Sequence, residues 1–268
     1  MSSRGPARPP MPASSPASSP ASASRLRGQF DAAGGKPAYV QRMFGGIARV
    51  YDLMNRLMTG GLDSRWRAFA ASQIALGPGQ RALDIGTGTG DLAIAVARAS
   101  DPSAHIVGVD FTPEMLAVGD QKVTRLGLAG RIELVRGDGE RLAFEDDSFD
   151  ACCSAFVVRN MADLHQGLAE MLRVLRPGGR MVCLEMSHPY NPLFAAVFHV
   201  YFDWIVPLLG KLVGRASEAY RYLPTSVASF PSAPQLARML EAAGWTEVRY
   251  YYRVGGVVAV HVAIKPLR

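Results

Sequence analysis

Cysteine is scarce in this sequence. Only three of its 268 residues are cysteines: Cys152 and Cys153 are adjacent within one apolar run, and Cys183 lies in another. Their positions fit neither a disulfide framework nor the paired spacing of zinc ligands. The sequence therefore argues against a disulfide-rich secreted domain and against a zinc module, and we expect no metal site. Small buried thiols in a reduced cytoplasmic compartment are the simplest interpretation.

Apolar side chains are sparse at the start of the chain. Residues 1–36 consist largely of Ser, Ala, Pro, Gly and Arg, a composition that cannot offset the entropy of ordering. We predict a disordered tail over 1–36 and a folded domain over 37–268. The tail lacks the apolar stretch of a secretory signal. Its Ser- and Arg-rich, acid-poor composition leaves an organelle transit peptide open, although a bacterial extension is favoured.

A broad basic surface is also lacking. The formal net charge is +6, but residues 1–36 hold five basic residues and one acid, a net of +4 (5 − 1). The remainder carries only +2 (6 − 4). Strong nucleic-acid binding needs basic residues gathered on a folded face. We therefore expect no nucleic-acid partner.

Strand-length apolar runs alternate with helix-length amphipathic segments from Tyr39 onward, which is typical of βαβ units around a parallel sheet. Seven strands are predicted: Ala82–Ile85, Ile106–Asp110, Ile132–Val135, Ala151–Phe156, Met181–Leu184, Val248–Tyr252 and Val257–Ile264. Four helices are predicted between them: Asp91–Ala99, Pro113–Leu126 with Thr112 as N-cap, Leu164–Leu175 and Ala233–Ala243. Gly255-Gly256 predicts a hairpin-like turn, so an antiparallel strand should complete an otherwise parallel, doubly wound, Rossmann-like α/β sheet at the C-terminal end.

A glycine-rich turn follows the first predicted strand and opens the first helix. It contains Gly86, Thr87, Gly88, Thr89 and Gly90. Glycine lets a ligand approach the backbone where a Cβ would collide, and this edge of the sheet is where doubly wound folds bind ligands. The spacing is G-x-G-x-G, whereas dinucleotide-binding dehydrogenases use G-x-G-x-x-G.

Three acids lie at successive strand ends: Asp84, Asp110 and Asp138. Asp110 could accept hydrogen bonds from both hydroxyls of a ribose, and Asp138, followed by Gly139, could bind an adenine amino group. Asp84 is expected to brace the loop and to face the amino group of an amino acid ligand. Acids suit a cationic sulfonium and would repel a pyrophosphate, so a nicotinamide oxidoreductase is the less favoured alternative. Purely structural roles, with Asp138 starting a turn, remain open.

The stretch from Asp84 to Glu185 resembles the core of class I S-adenosylmethionine-dependent methyltransferases. Further motifs resemble the ubiquinone/menaquinone biosynthesis C-methyltransferase family: 44–55, 61–67, Arg159-Asn160, 184–187 with Pro189, 220–226 with Phe230-Pro231, and 255–261. The resemblance covers about residues 40 to 266. It implies S-adenosylmethionine as methyl donor and a polyprenylated quinol as acceptor.

The resemblance also implies the donor-binding residues. Thr89, Asp110 and the Asp138-Gly139 pair would contact the donor, together with other positions around the glycine turn: Asp84, Gly86, Thr87, Gly88, Gly90, Phe111 and Ala155. This chain departs from the family at one place, where Ala155-Phe156-Val157 replaces a frequent Ser-Phe-Gly. A hydroxyl contact to the donor is thereby lost, and Val157 should make the local turn less free.

Methylation of a quinol ring carbon requires an ionised neighbouring hydroxyl, and a phenol-like pKa near 10 leaves little phenolate at neutral pH. Arg159 is the candidate that stabilises this phenolate, because a guanidinium stays charged; a structural ion pair with an acid such as Asp163 is the alternative. His188 is a candidate proton acceptor, and a loop cap is its alternative. The remaining catalysis is positioning. The residues assigned to the substrate are Tyr51, Asn55, Asn160, Tyr220, Arg221 and Tyr222. The resemblance also assigns Asp52 to the lid over the substrate, together with Tyr51, Tyr220, Arg221 and Tyr222, and plain core packing is the alternative.

Residues 191–214 are nearly continuous in apolar side chains. His199, Asp203 and Pro207 argue against a membrane span, because a buried charge is costly and proline breaks the helix ladder. We predict a helical lid over about 40–72 and an apolar insertion over about 188–231. The insertion should form the mouth of a prenyl pocket and touch the inner face of the membrane. A buried helix or a homo-oligomer interface is the alternative.

The sequence thus predicts C-methylation of a prenylated quinol. The segments Ser217–Tyr220 and Gly244-Trp245 resemble the menaquinone branch, which favours conversion of demethylmenaquinol to menaquinol. The benzoquinol of ubiquinone biosynthesis and another small-molecule acceptor remain alternatives, as does a non-catalytic S-adenosylmethionine-binding scaffold. A nucleic-acid N-methyltransferase is disfavoured, because residues 157–160 read Val-Val-Arg-Asn where those enzymes have Asn/Asp-Pro-Pro-aromatic.

Overall fold

A computed structural model of the chain describes residues 28–191 and 217–267, without the side chains of Ser217, Glu218, Tyr220 and Arg221. Its seven strands form one sheet. They are β1 Arg81–Ile85, β2 His105–Asp110, β3 Ile132–Arg136, β4 Phe149–Ala155, β5 Leu175–Met186, β6 Thr246–Arg253 and β7 Val258–Ile264. All seven contain or overlap a predicted strand.

Helices cover the sheet and its carboxyl edge. They are α1 Lys36–Ile47, α2 Tyr51–Thr59, α3 Leu62–Ser72, α4 Asp91–Ala99, α5 Pro113–Arg125, α6 Leu164–Val174, α7 Ser217–Ala228 and α8 Ala233–Ala242. Helix α4 has the predicted bounds, and the other three predicted helices end one residue earlier than expected. Thr112 occupies the N-cap position of α5, but its side chain makes no capping hydrogen bond.

The sheet order is β3-β2-β1-β4-β5-β7-β6. Strands β1 to β5 pair in parallel, and β7 pairs antiparallel with both β5 and β6. The predicted antiparallel strand is confirmed, although it lies between β5 and β6 while β6 takes the edge. The connection between β6 and β7 is a 3₁₀ turn over Val254–Gly256 instead of a two-residue hairpin. The order in which strands are added reverses at β1, because β2 and β3 lie on one side of it and β4 and β5 on the other. Folds of this kind bind ligands at this switch point.

The central strands are buried on both faces, as parallel sheets require. Along β1, Ala82 packs into the core layer that contains α4, whereas Leu83 and Ile85 pack into the layer on the opposite face, which contains residues of α6 and α8. Strand β5 begins earlier than predicted, at Leu175. Its pairing with β4 shifts register between Phe149, which pairs with Leu175, and Ala151, which pairs with Arg180. The Pro-Gly-Gly segment lies in the irregular stretch between these two pairs.

The part of the predicted tail that the structure describes is helical. Residues 28–33 form a helix, and α1 already begins at Lys36. Phe30 packs edge to face on Tyr39, with ring centroids 5.3 Å apart, and its carbonyl accepts a hydrogen bond from the Gly35 amide. One aromatic anchor therefore extends the fold into a segment of otherwise tail-like composition.

Helices α1 and α2 pack with α7 above the carboxyl edge of the sheet. Tyr39, Val40 and Met43 of α1 form one buried cluster with Tyr222, and Ile47 and Met54 form another with Val227. None of the helices within 28–191 and 217–267 is long and apolar enough to cross a membrane. Most of the predicted apolar insertion, residues 192–216, lies outside the described residues.

His261 in β7 is 1% exposed, and its Nε2 lies 2.9 Å from the Ala233 carbonyl oxygen. Burial lowers the pKa of His261 from 6.5 to about 4. Since protonation is disfavoured in the folded state, this histidine should lower the free energy of unfolding as the pH falls from about 6.5 to about 4, by up to about 3 kcal/mol. We expect the His261→Gln variant, which keeps a donor for Ala233, to lose correspondingly less stability between pH 7 and pH 4 in urea unfolding. The same loss of unfolding free energy between pH 7 and pH 4 in the wild type and the variant would contradict this.

Candidate active site

Two cavities adjoin at the carboxyl edge of the sheet. The smaller, of about 60 Å³, is lined by the glycine turn and the ends of β1 and β2. The larger, of about 260 Å³, is lined mainly by apolar side chains of α1, α2 and α7. Phe44, Tyr51 and Phe156 line both. The two cavities therefore share part of their walls.

The glycine turn is shaped by backbone that few side chains tolerate. Gly86, Gly88 and Gly90 have φ values of +65°, +56° and +79°. A Cβ on Gly86 would lie 2.3 Å from Cγ1 of Val157. The turn thus brings its backbone to the cavity surface, as its sequence predicted.

Asp84 braces this turn from beneath. Its Oδ2 accepts hydrogen bonds from Thr87 Oγ1 at 2.7 Å and from the Ala93 amide at 3.0 Å. The side chain is 1% exposed, and burial raises the pKa of Asp84 to about 7. The bracing role expected from the sequence is therefore present. Asp84 also lines the smaller cavity, so its contact with an amino group stays a prediction.

Asp110 lies at the end of β2 in the same cavity. Its two oxygens accept hydrogen bonds from the backbone amides of Gly88, at 2.9 Å, and Thr112, at 2.8 Å. Burial raises the pKa of Asp110 above its ordinary value, although these bonds oppose the shift. Asp110 lines the smaller cavity, and its contact with ribose hydroxyls stays a prediction. Phe111 and Ala155 line this cavity too.

The structure does not bring Asp138 and Gly139 to either cavity. Asp138 is exposed, its Oδ1 accepts from the Glu140 amide at 2.9 Å, and it forms a bridge with Arg141. This is the turn-starting arrangement that the sequence left open. A Cβ at Gly139 would contact Ile85 within 2.8 Å, so its close packing accounts for the glycine.

The Ala155-Phe156-Val157 segment has its unusual backbone at Phe156, not at Val157. Phe156 has φ +62°, whereas Val157 has φ −115°, which any side chain adopts. No glycine is therefore needed at position 157, and the prediction that Val157 makes the turn less free is not tested by this conformation. The effect of Val157 is to cover Gly86.

Arg159 lies on a 3₁₀ turn, Val158–Asn160, and forms a buried ion pair with Glu185. Arg159 Nη1 lies 2.6 Å from Glu185 Oε1, and the two side chains are 7% and 1% exposed. Arg159 lines the larger cavity, and its Nε has no hydrogen-bond partner among the described residues. Asp163, the acid considered from the sequence, instead caps α6 by accepting from the Gln166 amide.

Sequence reasoning missed Glu185 as the partner. The available signal was topological: β4 and β5 are neighbours, so residues just after β4 lie near the end of β5, where Ala155 pairs with Leu184. A basic residue after one strand and an acid ending the next predict such a pair only once the strand order is known.

The structure places His188 away from both cavities among the described residues. Its Nε2 lies 2.8 Å from the Phe230 carbonyl oxygen. Because a carbonyl only accepts, this nitrogen donates, which is the loop-capping alternative considered from the sequence. His188 therefore lines neither cavity, and its position gives no support to the predicted role as proton acceptor.

Most of the predicted substrate residues do line the site. Tyr51, Asn55 and Tyr222 line the larger cavity, and Asn55 Nδ2 is buried with no partner within the described residues. Asn160 lines the smaller cavity and accepts a hydrogen bond from the Tyr222 hydroxyl at 3.2 Å. The side chains of Tyr220 and Arg221 lie outside the described residues. In the part of the chain that is described, no three His, Cys, Asp or Glu side chains are grouped as metal ligands.

Removing Glu185 should leave the Arg159 guanidinium buried and unpaired. We expect Glu185→Ala to lower the free energy of unfolding by about 3–5 kcal/mol, the usual result of breaking a buried pair. Chemical denaturation measures this. Glu247→Ala is the matched control, because Glu247 pairs with Arg249 at 3.5 Å on the surface, where both side chains are at least 65% exposed, and such pairs contribute little. Equal losses in the two variants would contradict the burial argument.

Comparison with known proteins gives one family. A family model described as the ubiE/COQ5 methyltransferase family matches residues 33–265. A demethylmenaquinone methyltransferase of Deinococcus radiodurans is 46% identical over 226 residues, covering 84% of this chain and 92% of the relative. A ubiquinone/menaquinone biosynthesis C-methyltransferase UbiE of Geobacter sp. (strain M21) is 44% identical, covering 84% and 96%.

Solved structures agree on the fold. A putative methyltransferase from Bacillus halodurans C-125 aligns with a TM-score of 0.55 and 20% identity, covering 75% of this chain and 98% of that one. At this identity the likeness concerns the fold alone. The predicted class I methyltransferase fold is thereby confirmed.

Proposed function

This chain belongs to the ubiE/COQ5 methyltransferase family, and from that premise we propose that it transfers a methyl group from S-adenosylmethionine to a ring carbon of a quinol in quinone biosynthesis. The observation that carries this proposal is the pairing of two cavities. One presents a glycine turn and a sheet-edge acid, the other presents apolar walls and Arg159, and they meet at Phe44, Tyr51 and Phe156.

Demethylmenaquinol is the acceptor we propose, and the benzoquinol of ubiquinone biosynthesis is the alternative. Sequence motifs favour the first, and the 46% identical relative has that activity in its name, whereas other relatives are named for both pathways. Quinone profiling of a strain that lacks the gene distinguishes the two. Accumulation of a demethylated benzoquinone, with menaquinone unchanged, would overturn our choice.

The residues of the smaller cavity fit the donor. S-adenosylmethionine supplies, when bound, an electrophilic methyl group on a positively charged sulfur. The glycine turn would bind its amino acid end with backbone amides, Asp110 would accept hydrogen bonds from the ribose, and Asp84 would stabilise the turn and the amino group. Phe111 and Ala155 provide nearby apolar contact surface. Asp138 and Gly139 are not part of this proposal, since they lie elsewhere.

Arg159 is the catalytic residue that we propose for the acceptor. Its unpartnered Nε can donate to the hydroxyl oxygen beside the reacting carbon and stabilise the phenolate, with water accepting the hydroxyl proton. The methyl group would leave sulfur as the new C–C bond forms, giving neutral S-adenosylhomocysteine and a ring ketone. The methylated ring carbon would then lose its proton to water, which restores the aromatic ring and the oxyanion beside Arg159. Glu185 positions the guanidinium, while Tyr51, Asn55, Asn160 and Tyr222 would position the ring.

Replacing Arg159 tests this role. We expect Arg159→Gln to lower kcat at least about 100-fold, as removal of an oxyanion donor does, and to move the pH–rate profile to higher pH. Binding of S-adenosylhomocysteine should stay within about twofold. Methyl transfer to a short-chain demethylmenaquinol and calorimetric binding measure both.

Asp110→Ala provides the matched contrast for that experiment. It should weaken donor binding and leave the position of the pH–rate profile unchanged, because Asp110 does not contact the acceptor. Full activity in both Arg159→Gln and Asp110→Ala would show that the proposed mechanism is wrong. A wild-type protein that binds the donor but methylates no quinol would favour the non-catalytic scaffold.

We further propose that the enzyme collects its prenylated substrate at the cytoplasmic face of the membrane. Leu53 and Leu57 of α2 are 56% and 52% exposed and lie one helical turn apart, while Met54 and Met58 of the same helix line the larger cavity. Exposed apolar side chains beside a cavity suit contact with a bilayer surface. We likewise propose, from the sequence, that residues of about 40–72 form a lid and that the insertion of about 188–231 forms the mouth of the prenyl pocket. A homo-oligomer interface at the insertion is the alternative.

Vesicle flotation tests the membrane contact. We expect the Leu53→Ser, Leu57→Ser double variant to bind phospholipid vesicles at least about fivefold more weakly than the wild type, because less apolar surface enters the bilayer. Its activity on a water-soluble short-chain quinol should be unchanged. Equal flotation of both proteins would contradict the proposed contact.

A further inference from the structure

A single lysine joins the lid to the rim of the donor cavity. Lys122 of α5 has a side chain that is 12% exposed, and its Nζ lies 2.5 Å from Asp52 Oδ2 and 2.6 Å from Asp91 Oδ1. It also donates to Thr89 Oγ1 at 3.1 Å. Asp52 belongs to α2, Thr89 to the glycine turn and Asp91 to the first turn of α4. The ammonium group of α5 thus joins two segments, α2 and the junction between the glycine turn and α4.

The second oxygen of Asp52 is also engaged. Thr89 Oγ1 donates to Asp52 Oδ1 at 2.6 Å, so this carboxylate is held by both a hydroxyl of the glycine turn and the ammonium of Lys122. Asp52 and Asp91 are each 28% exposed, and two carboxylates this near one another would repel without the shared cation. Lys122 is therefore what allows Asp52 to lie against the turn.

The position of Asp52 determines the position of its neighbour. Tyr51 precedes it in α2 and lines both cavities, and Phe44 of α1 lies against Tyr51 with ring centroids 5.8 Å apart. Lid residues therefore form part of the wall of the donor cavity. Release of a ligand past Phe44 and Tyr51 would require α2 to move, and such a movement would separate Asp52 from Lys122 and Thr89.

We propose that Lys122, acting through Asp52, is a positioning residue that holds the lid closed over the methyl donor and sets the rate at which the spent donor leaves. This inference rests on the donor site of the proposed function. It adds a residue that contacts neither the donor nor the acceptor in that proposal. Charge-assisted hydrogen bonds of this kind contribute enough to change a dissociation rate about tenfold.

The test compares dissociation of S-adenosylhomocysteine from three variants. Lys122→Met keeps the aliphatic stem and removes the charge, and Asp52→Asn keeps the shape and removes the opposite charge. We expect each to release the ligand about 10-fold faster in stopped-flow displacement, and to raise KM for the donor more than KM for the quinol. The double variant should be no faster than either single variant, because both break the same contact.

Lys265→Met is the matched control. Lys265 makes a similar partly buried pair with Asp147, at 2.6 Å, and contacts the Leu175 carbonyl at the opposite end of the strands. It should lower Tm and leave ligand release unchanged. Release from Lys122→Met within twofold of wild type, additive effects in the double variant, or equally fast release from Lys265→Met would each overturn the proposal.

Two further outcomes are decisive. If Lys122→Met does not fold, Asp52→Asn alone decides, since its unchanged release rate would overturn the proposal. If the wild type does not bind S-adenosylhomocysteine in calorimetry, the donor site of the proposed function is wrong and this inference falls with it. If the wild type binds S-adenosylhomocysteine tightly and the variants release it at the wild-type rate, only the proposed role of Lys122 is wrong.

Discussion

The burial of Arg159 is the constraint on which the rest of the site depends. A guanidinium that is 7% exposed among apolar side chains must have its charge matched within the protein. Glu185 supplies the match from the neighbouring strand, and the Phe156 carbonyl accepts a second hydrogen bond at 2.6 Å. These contacts fix the 3₁₀ turn after β4. Phe156, whose carbonyl belongs to this network, also lines both cavities, so one ion pair lies beside the site for the donor and the site for the acceptor.

Much of the framework could be predicted from the sequence, because its signals are local. Apolar runs bounded by turn residues marked every strand, and helix α4 had its predicted bounds because Gly90 and Ser100 flank a segment whose interior, Leu92–Ala97, is apolar. The glycine turn and the acids at the ends of β1 and β2 were also placed correctly in the smaller cavity. Parallel strands bring their carboxyl ends together whatever the intervening sequence, which makes such positions predictable.

The errors concerned contacts that depend on which strands are neighbours. Arg159 pairs with a residue 26 positions away, and Asp163, the nearby acid, is used to cap a helix. His188 and Asp138 have suitable side chains at suitable strand ends, yet they hydrogen-bond locally to the Phe230 carbonyl and the Glu140 amide and line neither cavity. Nothing in the residues around Lys122 indicated its role, because its two acidic partners come from helices that become adjacent only after the lid folds over the sheet.

The close contact between Gly86 and Val157 also constrains how the sequence can evolve. A methyl group at position 86 would overlap the valine, and the positive φ of Gly86 adds a backbone cost. A smaller residue must therefore appear at position 157 before position 86 can change, whereas the reverse order passes through a poorly folding intermediate. The valine after β4 thus constrains the glycine of the facing turn, and the two positions should vary among descendants only in that order.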